Sequence, residues 1–499
     1  MRTLAPKTAA SRRRSHAAAA MLCLGVLFPA GARTQTAAEI GGCAATVPST
    51  ILDANPTNYQ AALAQLGPGV LVRLAPGTYD DGFSLTGVHG LENDCAIVEG
   101  PESGAPAIVE ARQPICCNTI ELRDSSYLVL RHLTVDSLGL SGVDGVKAQD
   151  ADPVHHVTLE HLTLFGQGGG QQTVGISTKT EAWNWVIAHN RITGAGTGIY
   201  LGNSDGDDEF VRSLIEFNVV LDPIGYAMQI KHQNARDAGM PSFGTTIVRH
   251  NVFSKQNGAS TGGDARPNLL LGAWPPGSSD RYLVYGNFFF ENPTPEALLQ
   301  ANGNVSLYDN LFVTSNGSAV ALQPHTGGPP QEMLVLHNTV LAVDEGIRLT
   351  SPAAGFEQRI VGNAVFAAQP IVQPGGAVVE RDNLVAARAD APLHVQNPFG
   401  VLAGPTNRLD LHPLTGELQI VAYDLGLAGP VEAALSDLDR DFNGLPRPTS
   451  AATFVGAYAT DGANPGWLPE LDEKVLVGAP LFADGFESGD ASAWSATTQ

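Results

Sequence analysis

At 499 residues, with 55 glycines and only 16% charged side chains, the chain is too rich in turn formers for a helical protein. A formal charge of −22 argues against non-specific binding of nucleic acid or of an anionic membrane. No apolar run of ~18 residues follows the leader, so no membrane-spanning helix is expected.

The leader has three parts: Arg12, Arg13 and Arg14, the apolar stretch AAAAMLCLGVLFPA, and an A-x-A site at Ala30, Gly31 and Ala32. This order predicts a bacterial-type export signal over 1–32, a linker over 33–47, and a secreted or cell-surface protein. Cleavage would remove Arg2, Lys7 and the three arginines but no acid, taking the net charge from −22 to −27. So acidic a chain repels a polyanion unless basic groups or divalent cations gather at one place. Cys43, Cys95, Cys116 and Cys117 remain, and in an exported chain they read as disulfide partners. Three pairings are open. Adjacent Cys116 and Cys117 point to opposite faces of a strand, so one of them can stay free.

A short amphipathic helix is expected over 55–67, with Asn58 as N-cap and Tyr59, Leu63 and Leu66 on one face. The first coil of a stacked structure exposes its apolar interior, and such a helix would serve as its lid. From there the chain repeats. One column holds His132, His161 and His189, followed by eight asparagines at 190, 218, 251, 287, 310, 338, 363 and 383. Asn tolerates a left-handed turn, and stacked carboxamides can bond from coil to coil. The histidines beside this column form a line and not a convergent cluster, so a ladder of structural side chains is expected there.

A second column collects the strands after each Gly-rich turn: GVKAQ (145–149), GISTK (175–179), GIYLG (198–202), AMQIK (227–231), ALLQA (297–301), AVALQ (319–323) and GIRLT (346–350). Alternation sends Val146, Ile176, Ile199, Leu201, Met228 and Ile230 inward and leaves the residues between them facing solvent. Units this short cannot bury their own apolar faces, so they must stack.

The asparagine column and the repeated G-I/V-x-L strands resemble the right-handed parallel β-helix repeat proteins, the superfold of pectate lyases, pectin hydrolases, alginate- and chondroitin-type lyases and phage tailspikes. The resemblance covers residues 48–390 and implies an all-β, single-stranded right-handed solenoid with an N-terminal capping helix. It names no activity, because that superfold hosts enzymes, binders and fibres alike. Residues 391–470 are expected to close the C-terminal end. Within them, DLDRDFNGLPRPTSAATFVGAY (437–458) is similar to a closing segment of bacterial β-helix proteins. Its alternating Asp437, Asp439, Asp441 and Asn443 suggest a calcium loop, but Pro448 stands where Glu would be, which favours a capping turn. The tail, 471–499, resembles endings of other exported bacterial proteins and reads as a sorting tag or as the vestige of a further domain.

The outward positions of the second column make a stripe: Lys147, Gln149, Lys179, Tyr200, Gln229 and Lys231. Loops leaving these strands add Asp205, Asp207, Asp208, His232, Arg236, Trp274 and His325. Coils stack at ~4.8 Å, so residues far apart in sequence become neighbours along this groove. Its chemistry suits β-elimination of a uronic-acid polysaccharide. That reaction needs a base and a cation to neutralise the sugar carboxylate as charge builds. A lysine crowded by other cations loses proton affinity and can be the base. Lys231 is the first choice, with Lys179 two coils earlier and Arg236 beyond it. Asp205, Asp207 and Asp208 could hold Ca²⁺. Tyr200 and Trp274 could stack on sugar rings, with Lys147, Gln149, Gln229 and His232 completing the binding surface.

Competing expectations are plain. An outward lysine is ordinarily a solvated one, and the loop NSDGDDE (203–209) is ordinarily a polar turn. A pectin-type glycoside hydrolase would use carboxylates. Asp207 and Asp208 with MQIKH (228–232) are similar to that family's elements, but its Gly-His-Gly is missing. A monomeric, non-catalytic glycan binder or surface fibre is the third reading. Convergence of the lysines in one cleft favours the enzyme; scatter along a flat wall favours the binder.

Overall fold

Strands of three to seven residues, most of them cut short by a glycine or a left-handed turn, cannot fold alone, and here they stack into three long sheets around one apolar core. The computed structural model describes residues 36–43, 46–112, 118–236, 239–275 and 277–477. Its parallel sheets have 13, 11 and 12 strands, and each strand pairs with its counterpart one coil away. The chain visits the 11-stranded sheet, the 13-stranded sheet and the 12-stranded sheet in turn, coil after coil. This is a parallel β-helix.

The inward column is continuous. Ile176, Ile199, Met228, Leu269, Leu299, Val320, Ile347 and Ile371 lie in register across successive coils. All but the last are fully buried. Burying each such side chain stabilises by ~1.5–3 kcal/mol, so the fold draws its stability from every coil alike.

Between the 13- and 12-stranded sheets the turn is carried by the asparagines. Asn190 Nδ2 donates to Asn218 Oδ1 at 2.9 Å, and the same bond recurs at 2.9–3.0 Å through Asn251, Asn287, Asn310, Asn338 and Asn363 to Asn383. The left-handed residue is not the asparagine but the one before it: His189 (φ 57°), Phe217 (53°), His250 (57°), Asp309 (51°) and His337 (52°). Asn therefore occupies its column for its carboxamide, and the turn's backbone demand falls one position earlier. Those preceding side chains form the expected ladder. His132, His161, His189, Phe217 and His250 stack ring on ring with centroids 4.8–5.1 Å apart.

The early helix spans Tyr59–Leu63 and is shorter than expected, with Tyr59, Ala62 and Leu63 buried in the core. Asn58 makes no capping bond to the helix; its Oδ1 accepts the Asn55 N–H at 2.7 Å. Cys43 bonds to Cys95. Cys116, Cys117, the leader 1–32 and positions 478–499 of the tail lie outside the described residues.

Residues 391–477 run back along the flank of the solenoid and cover the asparagine turn. Asp437 accepts from Tyr285 Oη at 2.7 Å, Arg447 pairs with Asp309 at 3.2 Å, and Glu473 pairs with His189 at 2.7 Å. In the 437–443 stretch Asp441 takes the N–H groups of Asn443, Leu445 and Ala459, while Asp437 turns away to Arg249. Its acids make turn hydrogen bonds and a flank ion pair and do not point to one centre.

Candidate active site

The outer face of the 11-stranded sheet carries Glu121, Lys147, Ser177, Tyr200 and Gln229 in register on successive coils. These positions face outward as expected, but they are not bathed in solvent. Ser177 is fully buried, Tyr200 is 9% exposed and Gln229 1%. Loops on both sides fold over the sheet and turn a flat wall into a trough. A cavity of about 290 Å³ lies in it, lined by Asp144, Lys147, Gln172, Lys179, Thr197, Tyr200, Asn203 and Ser204, among others.

Two positions further along each strand the register brings Lys179, Gly202 and Lys231 into line. Gly202 has φ +82°, and a Cβ there would lie 2.9 Å from the Asp208 carbonyl and 3.3 Å from Lys231 Cβ. Only glycine suits that backbone, and its bare surface leaves room for a lysine to cross. Lys179 does so: its Nζ donates to the Gly202 carbonyl at 2.7 Å and lies 3.3 Å from the centre of the Tyr200 ring. Lys231 Nζ lies 5.4 Å from the centre of the same ring. Two cations two coils apart thus share one aromatic ring, whose hydroxyl is 3.1 Å from Ser204 Oγ.

Burial is the main force on the Lys179 ammonium, and the Lys147 ammonium adds to it; together they bring its pKa down to about 7. Asp144 works against the shift and Lys231 with it. Lys147 is tied to Asp144, Nζ to Oδ2 3.2 Å, while Asp144 also accepts the Val174 N–H at 2.8 Å. On the opposite bank, burial pushes the Asp208 carboxyl up, helped by Glu181 and Asp205. Asn203 Oδ1 organises that bank by accepting the N–H groups of Gly206 and Asp207 at 3.0 and 3.1 Å.

Lys147, Lys179, Tyr200, Lys231 and Asp208 therefore come together. Other expected members do not. Arg236 is buried in an ion pair with Asp280, Nη2 to Oδ2 2.8 Å, and donates to the Pro241 carbonyl. Trp274 is 2% exposed and stacks on Tyr282 at 4.1 Å, inside the core and away from any sugar. Gln149 donates to buried Glu121 at 3.1 Å. Asp207 Oδ1 accepts from Asn234 at 2.7 Å, as does the Asp205 carbonyl. His232 is packed between Gly206 and Gly327, beside His325. Among the described residues no three His, Cys, Asp or Glu side chains are gathered as a metal site. Asp144, Asn203 and Ser204 were not anticipated, although the three-residue step from Asp144 to Lys147 and the Asn that opens the 203–209 loop are visible signals.

No family model matches this chain, and no curated protein matches it. Among solved structures it is similar to an alginate lyase from Paenibacillus sp. str. FPU-7 (14% identity, 68% of this chain and 95% of that one, TM-score 0.36). It is also similar to a pectate lyase (13%, 83% and 98%, 0.43) and to a lacto-N-biosidase from Eubacterium ramulus (12%, 68% and 68%, 0.45). Their activities differ, and at this distance the likeness assigns no reaction.

Proposed function

We propose that the chain is a secreted polysaccharide lyase that cleaves uronic-acid polymers by β-elimination, with Lys179 as the base. The observation that carries this reading is a lysine with a pKa of about 7 facing a cavity it shares with Lys147, with Lys231 near the Tyr200 ring that lines it. Lys231, the first choice from the sequence, is assigned instead to the sugar carboxylate. In the reaction the neutral Lys179 amine takes the proton from the sugar carbon next to the carboxylate. The C–H electron pair becomes the new C=C bond, the C–O bond to the next sugar breaks, and its oxygen leaves with the C–O bonding pair and takes a proton from water. Lys231 and Lys147 offset the charge that builds on the carboxylate. Tyr200 fixes both amines relative to the substrate. The acids at 205–208 are given no step, and adding calcium or a chelator tests whether they need an ion.

The test is the absorbance of unsaturated product on alginate, pectate and glycosaminoglycans. Lys179→Ala is expected to lose at least ~10²-fold in kcat, and Lys231→Ala to raise KM more than it lowers kcat. Undiminished turnover in the Lys179 variant would reject it as base. Tight binding of oligouronates with no unsaturated product from the native protein would make the trough a glycan-binding site instead.

A further inference from the structure

The floor of the trough is buried almost throughout, and open space lies over only part of it. Past Tyr200 the outward column continues through Gln229, Leu270, Gln300 and Ala321, and all four are buried. Before Lys147 it continues into buried Glu121. The cavity is confined to the coils that carry Lys147, Ser177 and Tyr200. At about 290 Å³ it sits at the small end of the ~300–1,000 Å³ range of small-ligand pockets, and it is no extended channel.

The loop 255–267 forms a wall beside this cavity, although none of its residues lines it. It leaves the 12-stranded sheet and leans back over earlier coils, where Gln171 Nε2 donates to the Asp264 carbonyl at 2.8 Å across 93 positions of sequence. The Ser260 N–H donates to the Ile224 carbonyl at 2.7 Å, and Arg266 lies 5.9 Å from the Tyr226 ring, beside the covered Gln229. The far end of the loop is pinned from beneath. Lys255, fully buried and unused by the proposed reaction, donates through Nζ to the Arg266 carbonyl at 2.7 Å, and Asn292 donates to the same oxygen at 2.9 Å. A buried lysine is costly, so one that holds a loop in place indicates that the position of the loop matters.

We propose that loop 255–267, anchored by Lys255, closes one end of the trough, so that the site takes the terminus of an acidic oligosaccharide and not the middle of a long chain. The inference rests on the uronate-lyase reading for the chemistry of the ligand, and it adds the mode of attack. A lyase of this form releases short products from chain ends and leaves the viscosity of a polymer solution nearly unchanged early in the reaction.

The test is calorimetric binding of saturated oligouronates from disaccharide to octasaccharide, on the native protein if it does not turn them over and on Lys179→Gln if it does. Affinity is expected to level off at the shortest oligomers. In a Lys255→Met background, with folding checked by circular dichroism, the octasaccharide is expected to gain about tenfold over the trisaccharide, ~1.4 kcal/mol. Should Lys255→Met not fold, Gln171→Ala with Tyr226→Ala loosens the same wall and carries the same expectation. Affinity that keeps rising to the octasaccharide in the unmodified loop overturns the closed end and leaves the lyase reading intact. Levelling off without any elimination keeps the closed end and rejects the lyase. Failure of every oligomer to bind rejects both.

Discussion

Lys179 is the residue on which the chemistry turns, and its state is set by neighbours that can be changed one at a time. Its pKa of about 7 means that the neutral amine grows as pH rises through 7, so kcat should climb across that range before other groups limit it. Removing the Lys147 charge takes away a repelling cation and frees the Asp144 carboxylate, and both changes favour the protonated amine. Lys147→Gln is therefore expected to move the rising limb to higher pH, measured as kcat against pH. An unmoved limb would show that Lys147 does not tune the base. The same shift has a stability consequence of fixed sign. An unfolded lysine binds a proton up to about 10.5 whereas the folded Lys179 releases it near 7, so between these values the unfolded state holds more protons. Stability should thus rise with pH from 7 towards 10.5, and Lys179→Met should flatten that slope in urea titrations.

At the scale of the element, the asparagine ladder shows what a repeat makes legible and what it hides. Asn251 Nδ2 donates to the Ile215 and Arg249 carbonyls and to Asn287 Oδ1, while its own Oδ1 accepts from Asn218. Asn251→Ala leaves several of these buried groups unpaired at ~1–3 kcal/mol each. A loss of about 3 kcal/mol or more is expected from denaturant unfolding. Asn383, the last rung, is half-buried, and its Ala variant should lose about 1 kcal/mol. Equal losses at the two positions would mean that the rungs do not act through burial. The ladder, the inward column and the histidine line could be read from the sequence because each recurs once per coil with the same geometric demand. Arg236, Trp274 and the covering of Ser177 and Gln229 could not. Their fates are set by where unrepeated loops fold, Arg236 meeting Asp280 and Trp274 meeting Tyr282 only once those loops are closed. Lys179 and Lys231 were legible as neighbours. Which of them loses its proton was not, because that depends on the crossing over Gly202 and on burial.

For the whole molecule the question is how a stack of coils ends. At the first coil Tyr59, Ala62 and Leu63 lie in the core. At the last coil the strands Gln369–Val372, Val378–Arg381 and Leu384–Ala386 are terminal in their sheets, and the flanking segment 391–477 reaches Arg381, whose side chain donates to the Asp424 carbonyl, while Val385 stays open. Val385 is 51% exposed, where Val365 one coil beneath is fully buried. Such an edge invites a second solenoid to continue the stack. In the 13-stranded sheet the inward column Val284, Leu307, Val335 and Ile360 ends on Glu380, an exposed carboxylate at a core position that accepts from Gln373 at 3.0 Å. A charge aimed into the stacking axis must be dehydrated before another coil can dock, and that cost is several kcal/mol. Glu380 is thus expected to keep the chain a single solenoid. Glu380→Val restores the aliphatic column to its last member, and sedimentation velocity is expected to show concentration-dependent dimers for the variant and monomers for the native chain. A variant that stays monomeric at the highest concentrations would mean that other features of the last coil, such as Pro370 within the terminal strand, already suffice to block the edge.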